Sequence, residues 1–173
     1  MATTALLTIE QYEQLPDTGV RTELVDGEVI ELATGNWLHD WVRDEIRTTL
    51  RRQGGGYALA EREFRTAEGR VRRADVVWLG PLTIGSADLS RSLSSVPDLV
   101  VEVVLPNDLA VPVHNKVSEY LDAGVAAVWV VYLETRDGEV WNRGRTAMTG
   151  VETLTADCLP GFTLQLESVF PEL

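Results

Sequence analysis

The sequence predicts one α/β domain in which helices flank a central mixed sheet, and three observations carry that expectation. Leu99 to Leu105 is a continuous apolar run, mostly β-branched, with one ionisable residue inside it, Glu102. Opened by Pro97-Asp98 and closed by Pro106-Asn107-Asp108, it reads as a strand covered on both faces. Two Asp-Gly pairs, Asp26-Gly27 and Asp137-Gly138, join strand-like segments, and this is the strongest local hairpin signal because both turn positions need positive φ. Two stretches of helical periodicity lie between the strands.

In chain order, Thr8 to Leu15 reads as a short helix, with Thr8 as N-cap and Gln11 placed to complete a capping box. Arg21 to Leu32 is the first hairpin. Gly35 and Asn36 introduce a helix from about Trp37 to Gln53, with an expected apolar stripe of Trp37, Leu38, Trp41, Val42, Ile46, Thr49 and Leu50. His39, Arg43, Arg47 and Arg51 step by four along another face as a basic ridge, and Gly54-Gly55-Gly56 stops the helix. Tyr57 to Phe64 and Arg70 to Leu79 are strands about a turn at Thr66 to Gly69. The second strand changes at Asp75 from basic and exposed to apolar and buried, so Asp75 stands where the strand enters the core. A loop is expected over Gly80 to Ser95. After Asp108 a helix runs to Ala123 with Pro112 in its first turn and Val113, Val117, Tyr120 and Leu121 on its buried face. Val125 to Leu133 is a further buried strand, turned by Asp137-Gly138 into Glu139 to Asn142. Leu166 to Leu173 is a terminal capping turn.

The 173 residues suffice for one domain with a substantial core, spanning residues 1–173 without a linker or repeat. No apolar stretch reaches the length of a membrane span, and the start lacks the shape of a signal peptide, so the expected compartment is the cytoplasm, away from membranes. One cysteine, Cys158, excludes an intrachain disulfide and a cysteine metal cluster. The net charge of −12 argues against a general nucleic-acid coat. It is unevenly spread: Arg43 to Arg73 carries +4 and the remainder −16. That basic sub-surface fits phosphate, or else a solvated face that balances the acids.

If the strands bearing Asp75 and Glu102 pair, the two carboxylates lie side by side, where both ionise only with a cation between them. Hard oxygen donors suit Mg²⁺ or Mn²⁺, which can polarise a phosphodiester and acidify a bound water. Lys116, the only lysine, lies beside its helix's buried stripe and can position that water or steady the charge on the phosphorane. Asp75, Glu102 and Lys116 thus form a coherent phosphodiesterase set. No Ser–His–Asp set or glycine-rich phosphate loop is evident, and His39 and His114 have no zinc spacing. A glycosidase pair is disfavoured because Glu102 sits among apolar residues. The alternatives are a buried structural ion triad and a non-catalytic nucleic-acid- or protein-binding module.

Arg72-Arg73-Ala74-Asp75-Val76, Pro97-Asp98-Leu99-Val100-Val101-Glu102-Val103, and Lys116 followed by Glu119-Tyr120-Leu121-Asp122-Ala123-Gly124-Val125 resemble a bacterial group of small proteins described as "putative restriction endonucleases" within the PD-(D/E)XK nuclease superfamily. Glu23 to Glu28 and Leu159-Pro160-Gly161-Phe162 also match the group's pattern, so the resemblance spans nearly the whole chain. It implies the restriction-endonuclease-like fold and a metal-dependent nuclease acting on nucleic acid, DNA above RNA, with a homodimer possible. By position Asp75 resembles the superfamily's first acid and Glu102 its second. The usual lysine position, two residues after the second acid, holds Val104, and Lys116 resembles a lysine moved to the following helix. Glu23 matches an acid that supplies a further metal ligand. Arg43, Arg47, Arg51 and Arg73 are the expected phosphate contacts. The group's proline before the first acid is Ala74 here, and its acid after the late strand is Tyr132.

Overall fold

The capping chemistry at Thr8 opens the first helix. In the computed structural model, which describes residues 6–84, 92–106, 108 and 110–172, Thr8 Oγ1 accepts from the Gln11 amide and the Gln11 side chain accepts from the Thr8 amide, closing the box on α1 (Ile9–Glu13). Then β1 (Thr22–Val25) and β2 (Glu28–Glu31) are joined through Asp26 and Gly27 at φ 51° and 86°, the values this hairpin needs. Asn36 caps α2 (Trp37–Gln53) by accepting from the His39 amide. A long hairpin follows, β3 (Tyr57–Ala67) and β4 (Arg70–Leu79), then a single turn α3 (Pro81–Ile84) and β5 (Ser92–Leu93). Next come β6 (Leu99–Val104), α4 (Ala110–Ala123), β7 (Ala127–Tyr132), β8 (Asp137–Asn142) and β9 (Met148–Val151). The chain ends with β10 (Thr153–Leu154), β11 (Leu164–Gln165) and a 3₁₀ turn, Leu166–Val169. The loop expected over Gly80 to Ser95 therefore contains α3 and β5, and its residues 85–91 lie outside the described residues.

The sheet is mixed, in the order β2-β1-β4-β6-β7-β8-β9. Only β6–β7 in that path is parallel, because α4 carries the chain back between them; the remaining pairs are antiparallel. The pairing of β4 shapes the centre of the sheet. Val71 pairs with Arg65 of β3 and Leu24 of β1, while Val76 pairs with Ala60 of β3 and Val101 of β6. A strand has two edges and β3 runs along one of them, so β1 and β6 share the other. The sheet forks there, between Val71 and Val76.

Alternation along the strands distributes two cores. Leu99, Val101 and Val103 pack with Val42, Ile46 and Leu50 of α2 and with the C-terminal segment, where Trp129 lies against Phe162 at 6.1 Å and donates to the Thr155 carbonyl at 2.7 Å. Val100 and Val104 pack with Val117 and Tyr120 of α4. Glu102 shares their face and so looks toward α4.

Two expectations are corrected. Val42, Ile46 and Leu50 of α2 are buried as expected and Leu38 packs at their edge, but Trp37 and Trp41 are 62% and 48% exposed, and His39, expected on the basic ridge, is buried with the stripe instead. Both stripes satisfy helical spacing; the sheet selects the one whose first residue, His39, fits beneath Gly35, where a Cβ would lie 2.5 Å from the ring. The second hairpin turns at Glu134 to Arg136, with Arg136 at φ 55°, and not at Asp137-Gly138, which pair with Tyr132 and Val131. Gly138 serves packing instead: a Cβ there would stand 2.7 Å from the Val130 carbonyl and 3.2 Å from Leu154. Gly138→Ala is expected to lower the unfolding free energy by about 1–3 kcal/mol through overpacking, read from urea denaturation.

Candidate active site

Where strands part, backbone groups lose their ladder partners and need others. At the fork two carboxylates supply them. Asp75 Oδ2 accepts from the Val103 amide of β6 at 2.8 Å, just past the last β4–β6 pair, and Glu23 Oε1 accepts from the Arg73 amide of β4 at 3.1 Å. Extending the antiparallel register by one residue sets Asp75 opposite Glu102, so both carboxylates share a face. Lys116, on the second turn of α4, reaches down onto them. The three residues line one cleft of about 420 Å³, together with His39, Arg21 and Arg73.

The electrostatics follow from this crowding. Burial is the largest influence on Glu102 and raises its pKa from 4.5 to about 7; Lys116 opposes the rise, Asp75 adds to it, and the Tyr120 hydroxyl, donating to Oε1 at 2.6 Å, opposes it. Burial also works against the charge on Lys116, yet the carboxylates of Glu102 and Glu23 outweigh it and keep the ammonium firmly protonated. Its Nζ lies 2.8 Å from Glu23 Oε1 and 4.0 Å from Glu102 Oε1. Glu23 is 1% exposed and fully engaged: Oε1 holds Lys116 and the Arg73 amide, and Oε2 accepts from Arg72 Nη1 at 2.9 Å. In this arrangement the partner of Glu23 is the lysine.

Two further residues touch the acids: His39, which spacing placed on the basic ridge but which is buried, and Tyr120, which spacing placed only on the buried face of α4. His39 Nε2 lies 3.3 Å from Asp75 Oδ1; burial lowers its pKa, and Asp75 and then Asp40 more than restore it, for a net rise. Tyr120 orients Glu102, and burial followed by the nearby carboxylates holds its own pKa well above the usual phenol value. Neither is legible as functional locally, since each occupies a buried position on an amphipathic helix. Among the described residues no group of three or more His, Cys, Asp or Glu is arranged to hold a metal. The basic ridge is partly paired: Arg43 meets Asp40, Asp44 and Glu61, and Arg47 lies 3.7 Å from Asp44, while Arg51 stands exposed to solvent. Tyr132 hydrogen-bonds a second acid on the same sheet face, donating to Glu139 Oε1 at 3.1 Å, and Trp141 donates to Glu139 Oε2 at 2.8 Å.

The raised pKa of Glu102 sets a pH dependence. The folded protein holds this proton more tightly than the unfolded chain, so the contribution to stability is complete below pH 4.5 and is lost as the pH rises through about 7. Glu102→Gln keeps the acceptor for Tyr120 and does not titrate. In EDTA its melting temperature should equal that of the wild type near pH 4.5 and exceed it at pH 8. Glu23→Ala should behave oppositely, losing about 3–5 kcal/mol in urea unfolding because Lys116 and Arg72 lose a shared buried partner.

A sequence model described as "Uma2: Putative restriction endonuclease" matches residues 9–167. Among solved structures the chain resembles the crystal structure of a putative nuclease of DUF820 from Anabaena variabilis ATCC 29413, with a TM-score of 0.78 and 14% identity over 95% of this chain and 97% of that one. No curated protein sequence matches. At that identity the structural likeness speaks for the fold, while the sequence match covers nearly the whole domain. The chain belongs to the Uma2 family of restriction-endonuclease-like proteins.

Proposed function

We propose that this protein is a nuclease that hydrolyses phosphodiester bonds of nucleic acid, DNA before RNA, using Mg²⁺ or Mn²⁺. The observation that carries the reading is the convergence of Asp75, Glu102 and Lys116 in one cleft at the fork of the sheet. The family description and the nuclease-like fold of the Anabaena protein support it. The donor set fits a hard dication. Two adjacent carboxylates, one of them reluctant to ionise, gain from a cation between them, and Mg²⁺ is commonly held by one or two carboxylates with waters and substrate phosphate completing its shell.

Asp75 and Glu102 would hold the ion. When bound it polarises the phosphodiester and acidifies an attacking water. The chain's own groups do the rest. The Val103 amide and His39 orient Asp75, and Tyr120 orients Glu102. Lys116, protonated and held by Glu23, supplies fixed positive charge where negative charge grows on the phosphate oxygens. A general-base role does not suit an ammonium held so firmly. Glu23, expected as a ligand, is assigned here to Lys116. Lys116 keeps 23% of its side chain exposed, which supports a role open to substrate over a closed structural triad. Arg43, Arg47, Arg51 and Arg73 are assigned to backbone phosphates, a contribution that weakens with salt.

The test is cleavage of plasmid and single-stranded substrates with Mg²⁺, Mn²⁺ or EDTA. Cleavage should require the metal, vanish in Glu102→Gln and Asp75→Asn, and fall about 10²–10³-fold in Lys116→Ala with folding retained. A wild type that does not cut, or a Glu102→Gln that cuts equally, would overturn the assignment and leave the non-catalytic binding module.

A further inference from the structure

Glu61 takes a left-handed backbone conformation, φ 48°, in the middle of β3. The other non-glycine residues with positive φ among those described, Asp26 and Arg136, sit in hairpin turns that require it. No turn requires it at Glu61. Such a conformation costs backbone energy and persists where the surroundings impose it. The register places Glu61 opposite Asp75, between the pairs Ala60–Val76 and Arg62–Ala74. Side-chain alternation breaks there as well. Ala58 and Val76 pack on the α2 side, but Phe64 and Ala74, which strict alternation would put with them, pack on the α4 side.

The twist brings three guanidinium groups, from the segment before β1, from α2 and from β4, onto one residue. Glu61 Oε1 takes Arg21 Nη1 at 2.8 Å and Arg43 Nη1 at 2.6 Å, and the Glu61 carbonyl takes Arg73 Nη1 at 3.0 Å. Arg21 and Arg73 are also anchored elsewhere, Arg21 on the Ala33 carbonyl at 2.6 Å and Arg73 on buried Glu63 at 2.6 Å. Arg21, Glu61 and Arg73 line the catalytic cleft and also a neighbouring groove of about 750 Å³, so they form the ridge between the two.

We propose that Arg21 and Arg73, gathered on Glu61, form a second phosphate subsite that takes a non-scissile phosphodiester of the strand crossing from cleft to groove. The Glu61 carboxylate holds the place of that phosphate at Arg21 until the strand arrives, while Arg73 is kept beside it by the Glu61 carbonyl. The choice of ligand rests on the nuclease reading; the geometry does not. A guanidinium fork matches carboxylate and phosphate alike, so the incoming phosphate exchanges for Glu61 at Arg21. The Ala33 and Glu63 anchors keep the forks aimed during the exchange, and little side-chain freedom is lost on binding.

The test is fluorescence anisotropy with a labelled single-stranded oligonucleotide and its duplex in EDTA, where cleavage does not intervene, alongside thermal melts. Arg21→Ala should weaken binding roughly tenfold and reduce the slope of log K against log salt by about 0.7–0.9. Arg21→Lys should keep the slope and lose most of the affinity, because the charge stays and the fork goes. Glu61→Gln should bind several-fold more tightly. Unchanged binding by a folded Arg21→Ala or by Arg21→Lys overturns the subsite, as does a Glu61→Gln no tighter than wild type, or a wild type that binds neither oligonucleotide. Binding that depends on Arg21 in a chain that cuts nothing would sustain the subsite while the nuclease reading fell.

Discussion

The shared edge of β4 is the constraint on which the rest of the site depends. Two strands, β1 and β6, take hydrogen bonds from the same edge and must separate between Val71 and Val76. Separation leaves amides without ladder partners, and a buried unpaired amide costs about as much as a lost hydrogen bond. Asp75 and Glu23 satisfy those amides with carboxylates. The opening thus acquires acidic walls because the fold needs acceptors at that place, and the strands on either side hold the acids rigidly.

Concentrating carboxylates on one buried face works against stability. The fold offsets this by distributing cations from other elements. Lys116 from α4 and Arg72 from β4 meet on Glu23, and Arg72 continues to Glu119 at 2.7 Å. Glu102 is the member least compensated: burial and then Asp75 raise its pKa further than an ammonium at 4.0 Å and one tyrosine hydroxyl at 2.6 Å can offset. A residue kept in an environment that disfavours its charge is the kind of local conflict that the proposed catalytic role would draw on.

Placing the lysine on α4 divides the candidate site between the sheet and a helix. The acids ride on the sheet and the ammonium on the helix that returns over it. The β6–α4–β7 crossover sets their separation, since Val117 and Tyr120 of the same helix are locked into the core beneath Val100 and Val104. Val104, at the strand position where the superfamily usually carries its lysine, is free to be apolar and serves that packing.

Much of the architecture was legible locally. Capping at Thr8 and Asn36, the Asp26-Gly27 turn, the bounds of α2 and the buried run at Leu99 depend on near neighbours and on periodicity, which the chain states directly. The Asp137-Gly138 pair misled because a glycine serves either a positive φ or a close approach, and only the proximity of Leu154 and the Val130 carbonyl decides between them. The same holds for α2, where two stripes shared one period and the sheet chose His39 over Trp37. For the cleft, the sequence named Asp75, Glu102 and Lys116 from residue type, strand context and the lysine's singularity. That β1 and β6 share an edge, that Glu23 faces the lysine, that His39 reaches Asp75, and that Glu61 twists β3 to gather three arginines were decided by tertiary structure alone. Those contacts join residues distant in the chain and are set by register and twist, so no local pattern encodes them.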